Sequence, residues 1–227
     1  MVQTWNDLLF AHWPVSAEVL RPLVPSALAL DTFDGRCWLA VAPFHMSGIR
    51  ARGLPPIPGF SAFPELNVRT YVTLGEKPGV YFFSLDAGSL AAVWSARAAY
   101  RLPYFHARMK VGYDSGWVRY DSRRHSPPDS DGAFKAKYRA VGPVQLRNPG
   151  TLEHWLTERY CLYTVAGNDV FRAEIHHPQW PLQDAEAEIM ENKMASAAGI
   201  ELPDVRPVLH FAKRLDVLIW PLRRVAD

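Results

Sequence analysis

Turn-forming residues punctuate this chain at short intervals, and that punctuation limits what it can fold into. Asp34-Gly35, Gly75 to Gly79, Asp114-Ser115-Gly116 and Gly167-Asn168-Asp169 each separate two runs rich in β-branched and aromatic residues. Turns of this chemistry join neighbouring antiparallel strands. The runs so bounded are Leu28 to Phe33 and Cys37 to Met46, Phe63 to Val72 and Val80 to Leu85, Tyr104 to Tyr113 and Trp117 to Tyr120, and Tyr160 to Val165 and Val170 to His176. Phe134 to Val141 and Val208 to Trp220 add two more. Helix signals are few: Ser16 before a short apolar stripe limited by Pro22 and Pro25, Ser89 before an Ala-rich run to Tyr100, and Thr151 before Leu152 and Trp155. A helix from about Ala185 to Ala198, closed by Gly199, is the fourth. Roughly ten strands against three or four short helices predict an α+β fold built on a curved antiparallel sheet or barrel. No repeat or linker divides residues 1–227, so one domain is expected.

Composition narrows the function classes. The 227 residues are 48% hydrophobic and 21% charged, with a formal charge of +2, so the chain is globular and has no basic footprint for nucleic acid. Cys37 and Cys161 stand in apolar runs without metal or redox spacing. No stretch approaches the ~20 apolar residues that span a bilayer, and no signal-peptide pattern opens the chain. The expectation is a cytoplasmic protein without membrane or nucleic-acid partners. Aromatic residues make up 12% of the chain, enough to wall a small-molecule pocket.

Residues 63–72, Phe-Pro-Glu-Leu-Asn-Val-Arg-Thr-Tyr-Val, alternate most sharply. On a strand, Glu65, Asn67, Arg69 and Tyr71 share one face, and Leu66, Val68, Thr70 and Val72 the other. The polar row is either an ordinary solvated surface or the floor of a binding site. Residues 50–62, rich in Pro and Gly, precede it as a binding loop or a plain crossover.

Familiar catalytic motifs are missing. There is no dinucleotide or phosphate loop, no nucleophile elbow and no His-Glu-x-x-His. His176 and His177 point to opposite sides of a strand and cannot readily share a metal. Glu186, Glu188 and Glu191 would decorate the polar face of the last helix, and Lys135 and Lys137 alternate away from the apolar side of their strand. No metal or cofactor is expected. His12, between Ala11 and Trp13, reads as a structural hydrogen-bonding residue or a ligand contact.

Several segments resemble the bacterial YqjF-like family, a domain of unknown function. They are His12-Trp13-Pro14, Leu30-Asp31 with Asp34-Gly35, Phe63 to Val72, Gly79 to Asp86, Leu102-Pro103-Tyr104, and Glu158-Arg159-Tyr160 with His177 and Trp180. The likeness runs through nearly the whole chain in one order. It implies distant kinship with acetoacetate decarboxylases, whose curved antiparallel sheet closes around an apolar pocket and whose chains assemble into oligomers. In those enzymes a glutamate on a central strand faces the pocket, and a lysine after a Gly-aromatic-Pro turn forms a Schiff base. Glu65 resembles that glutamate, while Arg101-Leu102-Pro103 matches the turn and puts Tyr104 in the lysine's place. A phenol cannot form an iminium. Lys110 follows on the same face but about 20 Å along the strand at ~3.3 Å per residue.

The resemblance thus turns the polar row of residues 63–72 toward a cavity. On that reading Glu65 is the general base, Tyr104 the proton donor, and Arg69 or Arg97 the anchor for a carboxylate or enolate oxygen; the alternative is that Glu65 and Arg69 neutralise each other as a buried pair without catalysis. Asn67, Tyr71, Arg97, His12 and Trp13 are candidate ligand contacts. Lyase- or isomerase-type acid–base chemistry on a small oxo or aromatic acid fits that set. A non-catalytic carrier or sensor of the same fold fits it too.

Overall fold

A computed structural model of the chain describes residues 1–57, 61–125 and 131–225. Parts of the Pro/Gly-rich loop 50–62 and of the polar loop 121–132 therefore lie outside the described residues. The strands are β1 (Val2–Val15), β2 (Ala29–Leu30), β3 (Cys37–Arg50), β4 (Phe63–Leu74), β5 (Lys77–Ala87), β6 (Tyr104–Asp114) and β7 (Trp117–Arg124). They continue with β8 (Ala133–Gln145), β9 (Cys161–Ala166), β10 (Asp169–His176), β11 (Leu182–Asn192), β12 (Val208–Ile219) and β13 (Arg223–Val225). Three short helices interrupt them: α1 (Ala17–Leu20), α2 (Leu90–Tyr100) and α3 (Leu152–Thr157).

All the strands join one sheet in the order β13-β10-β9-β5-β6-β7-β8-β11-β12-β1-β3-β4-β2. Additional pairings of β10 with β12 and of β5 with β4 make the sheet return on itself. Most neighbours are antiparallel, as the turn chemistry predicts. The exceptions involve β5, which runs parallel to β6 at one end and to β9 at the other. This curved sheet with few helices is the α+β architecture expected from the sequence.

Because the sheet curls, β4 is covered on both sides. Leu66 and Val68 pack with Leu9, Leu39 and Tyr138 in one core, and Tyr71 packs with Phe10, Phe44 and Trp180 in the other. The polar row 65, 67, 69 and 71 is buried throughout. The β3 residues facing that row are Phe44 beside Glu65, Ala42 beside Asn67 and Ala40 beside Arg69.

Capping follows the sequence. Ser89 Oγ accepts the Ala92 N–H at the start of α2, and Thr151 Oγ accepts the His154 N–H at the start of α3. The expected hairpin around Asp34-Gly35 is reduced to a turn with one bridge, Phe33 to Arg36. Both turn residues have positive φ, but β2 pairs with β4 rather than β3.

The expected helix at 185–198 is instead strand β11 followed by a 3-10 turn at Ser196–Ala198. Ala185, Ala187 and Ile189 alternate into the core, while Glu186 pairs with Arg139 and Glu188 with Lys137 across β8. Those cross-strand contacts override the helix preference of an Ala/Glu-rich run. Gly199 does take the left-handed φ of +74° expected of it, at the end of the 3-10 turn.

Candidate functional site

Glu65, the third residue of β4, lies at the end of the strand away from the β4–β5 turn, and its neighbours fix its place. The Tyr120 hydroxyl donates to the Glu65 backbone carbonyl at 2.7 Å and lies 3.2 Å from the Phe44 carbonyl, tying β7 to β3 and β4 at this point. Tyr104 arrives from the other side of the fold. Arg101, with φ +52°, ends α2 in a left-handed turn. The Leu85 N–H then donates to the Pro103 carbonyl, starting the short parallel pairing of β5 with β6. Arg97 Nε donates to the Tyr104 carbonyl at 2.8 Å, fastening α2 to the start of β6.

These supports bring the Tyr104 hydroxyl to 3.0 Å from Glu65 Oε2. Both side chains line a cavity of about 210 Å³ between α2 and the sheet. Its walls are mostly apolar, with Phe63, Phe82, Leu85 and Leu162 prominent. The polar lining comes from Gln3, Glu65, Asn67, Ser95, Tyr100 and Tyr104, and no lysine, arginine or histidine lines it.

That lining decides the electrostatics. Burial pushes the Glu65 carboxyl up to about 8, against the opposing hydrogen bonds from Tyr104 and Asn67 and with some help from the Asp86 charge. At neutral pH Glu65 is therefore mostly a neutral acid. Burial and the adjoining Glu65 also hold the Tyr104 hydroxyl well above its usual range. With Oε2 accepting the Tyr104 proton, the other carboxyl oxygen carries a proton it can donate. Asn67 Oδ1, buried and without a partner, is an acceptor in the same lining.

The other sequence-stated candidates are distributed differently. Arg69 and Tyr71 share Glu65's face of β4, but neither lines this cavity. His12 lies beside them, with Nε2 2.8 Å from the Tyr71 hydroxyl. Trp13 packs in the core on the opposite side of the sheet. Arg97 binds the Tyr104 backbone rather than facing the cavity. Sequence reading missed Gln3, Ser95 and Tyr100. Gln3 and Tyr100 fall in segments distant from β4, and only the folding of β1 and α2 over the sheet unites them. Lys110 is exposed on the outer sheet surface. Among the described residues, no group of three or more metal-ligating side chains comes together. No helix there is long and apolar enough to cross a membrane.

Comparison with known proteins agrees with this architecture. The family model DUF2071, described as an uncharacterized conserved protein, matches residues 2–216. The uncharacterized protein YqjF of Bacillus subtilis (strain 168) is 52% identical over 224 residues, covering 99% of this chain and 92% of that protein. Acetoacetate decarboxylase from Legionella pneumophila superposes with a TM-score of 0.67 at 14% identity, covering 100% of this chain and 87% of that one. MppR, an enduracididine biosynthesis enzyme solved with pyruvate, gives 0.67 at 9% identity, covering 100% and 90%. At such low identity the two structures establish the fold alone. The chain belongs to the DUF2071 family and carries it on an acetoacetate-decarboxylase-like fold.

Proposed function

We propose that the cavity under α2 binds a neutral, largely apolar small molecule bearing a carbonyl group, and that Glu65 and Tyr104 act on it as a proton-transferring pair. The observation that carries this reading is the 3.0 Å contact between the two side chains in a lining without lysine, arginine or histidine. A carboxylate ligand would lie in a mostly apolar space with no basic side chain to pair with it, and burying an unpaired charge is costly. An oxo acid fits this cavity poorly; a ketone or aldehyde suits it well. The Glu65 carboxyl donates its proton to the carbonyl oxygen, and the carboxylate so formed, oriented by Tyr104, takes the proton from the α-carbon, which gives the enol and restores the acid. Arg69 has no part in this step.

A carrier of the same ligand is the second reading, favoured by the absence of any lysine from the lining. Proton–deuterium exchange at the α-carbon of neutral ketones, followed by NMR, separates the two. Acid–base chemistry gives exchange that is lost in Glu65→Gln. A ketone that binds without any exchange makes the protein a carrier.

A further inference from the structure

Beyond Asn67, the same face of β4 enters a second buried compartment that the cavity does not include. Arg69 is its centre. The next inward residue after Asn67, it lies about 7 Å along the strand and is almost fully buried. Its Nε has no hydrogen-bond partner, and among the described residues no carboxylate pairs with it. The guanidinium carbon lies 5.4 Å from the Phe10 ring. Phe10 also touches His12 and Trp180, with ring centres 5.7 and 4.8 Å away. Tyr71, bonded to His12, has the Arg159 guanidinium carbon 5.0 Å from its own ring. Trp38 is one step away on the same face of β3, where Ala40 and Ala42, the partners of Arg69 and Asn67, are small side chains.

The unpartnered groups here are nearly all donors. Arg69 Nε, Arg159 Nη2, Trp38 Nε1 and Trp180 Nε1 are buried without an acceptor. His12 Nδ1 is unpaired too, and carries a proton if Tyr71 donates to Nε2. Charge is equally one-sided. Arg159 is balanced by Asp31, whose Oδ2 lies 2.5 Å from Nη1. Glu158, the other nearby carboxylate, is half-buried and accepts the Trp180 backbone N–H and the Tyr160 hydroxyl, not a guanidinium. His12, His177 and His210 are each held toward the neutral form by burial first, with the Arg69 charge adding to this at His12 and His177. One positive charge is left over, in an environment where an unpaired ion is strongly disfavoured.

We propose that this compartment is a binding site for a small monoanion, specifically a carboxylate, held by Arg69 with the Trp38 and Trp180 indole N–H groups. A carboxylate supplies one charge and about four acceptor positions, matching both the excess charge and the number of free donors. A halide supplies the charge but one centre only. On the α3 side half-buried Trp155 packs on Tyr71, with Phe33 against Trp155 in turn. The site is separate from the Glu65 cavity, with Asn67 as the partition between them.

The test is calorimetric titration of the dialysed protein with sodium acetate, sodium bromide and sodium phosphate at fixed ionic strength. Saturable one-to-one binding of acetate is expected, weakened at least about thirtyfold in Arg69→Gln. Glu65→Gln should leave acetate binding within about twofold, so the outcome is independent of the ketone reading. Trp38→Phe, which removes one N–H and keeps the ring packing, should weaken acetate severalfold and serves if Arg69→Gln does not fold. No saturable acetate binding, or binding indifferent to both substitutions, overturns the proposal. Bromide or phosphate bound in acetate's stead overturns the carboxylate assignment.

Discussion

The Tyr104 hydroxyl donates to the Glu65 carboxyl at 3.0 Å across strands that are 39 residues apart in sequence, inside an apolar cavity. No lysine, arginine or histidine side chain shares that lining. The pair therefore behaves as two weak acids sharing a dry space rather than as an acid and its counter-ion. Its properties are set by burial, and burial has consequences that can be measured.

The first is a stability that falls as pH rises. Glu65 titrates near 4.5 when exposed and at about 8 when folded. Between those values the folded state holds a proton that the unfolded state has lost, so stability declines with pH across that window. The contribution is intact below about pH 4.5, and on the order of 4 kcal/mol of it is lost by pH 8 and above. Glu65→Gln keeps the shape and removes the titration. Denaturant midpoints measured from pH 5 to pH 8.5 should fall more steeply for the native chain than for Glu65→Gln. The buried histidines push in the opposite direction, but they are common to both proteins and cancel in the difference. Parallel slopes would place Glu65 in water.

Tyr104→Phe removes the hydrogen bond that opposes the upward shift. The Glu65 titration should then move to still higher pH, because the Tyr104 contact favours the ionised form. Loss of the bond itself costs about 1 kcal/mol. The carboxyl stretching band in infrared spectra, followed against pH in both proteins, reads the midpoint directly. A midpoint that stays put or falls contradicts the geometry.

Much of this was legible in the residues. Alternation from Glu65 to Tyr71 marked the central strand, and turn dipeptides marked most of its neighbours. What could not be read was which parts of one face share a compartment. Glu65 and Arg69 are equivalent by period, yet the walls that enclose Glu65 come from α2 and β6, while those around Arg69 come from β1, α3 and the segment after β10. Those partners are set by long-range closure of the sheet, which leaves no local signal. The mistaken helix at 185–198 has the same origin. Ala and Glu favour helix locally, and the basic residues of β8 that recruit Glu186 and Glu188 into a sheet lie some fifty positions earlier.

Close to the cavity, Arg124 and Asp86 form an almost fully buried ion pair, with Nη2 and Oδ1 2.9 Å apart. The guanidinium is also 4.0 Å from the Phe105 ring. Gly132 leaves room for it: a Cβ there would come within 2.6 Å of Arg124 Cδ and Nε. Gly132→Ala should therefore displace the guanidinium and destabilise the fold by about 2–4 kcal/mol. Arg124→Met, which strands the Asp86 carboxylate, should cost about 3–5 kcal/mol at neutral pH. That second loss should shrink on acidification as Asp86 takes up a proton. Urea unfolding at pH 7 and pH 5 checks both, and equal losses for Arg124→Met at the two pH values would mean that Asp86 is not the stranded charge.

The lysines close off one reaction. Lys77 pairs with Glu174, Lys213 with Asp7 and Lys137 with Glu188, while Lys193 lies 3.7 Å from Glu191. Lys110 and Lys135 are exposed on the outer surface of the sheet, beside Arg119. None lines the cavity, and Tyr104 stands where the resemblance to decarboxylases places their amine. An iminium requires an amine next to the bound carbonyl, and no lysine is placed there. Incubation with acetoacetate followed by borohydride should therefore leave the intact mass unchanged, and carbon dioxide release should not exceed the uncatalysed rate. A single stoichiometric adduct on any lysine would show that the chain reaches its ligand by another route, and would remove Glu65 and Tyr104 from the centre of the chemistry.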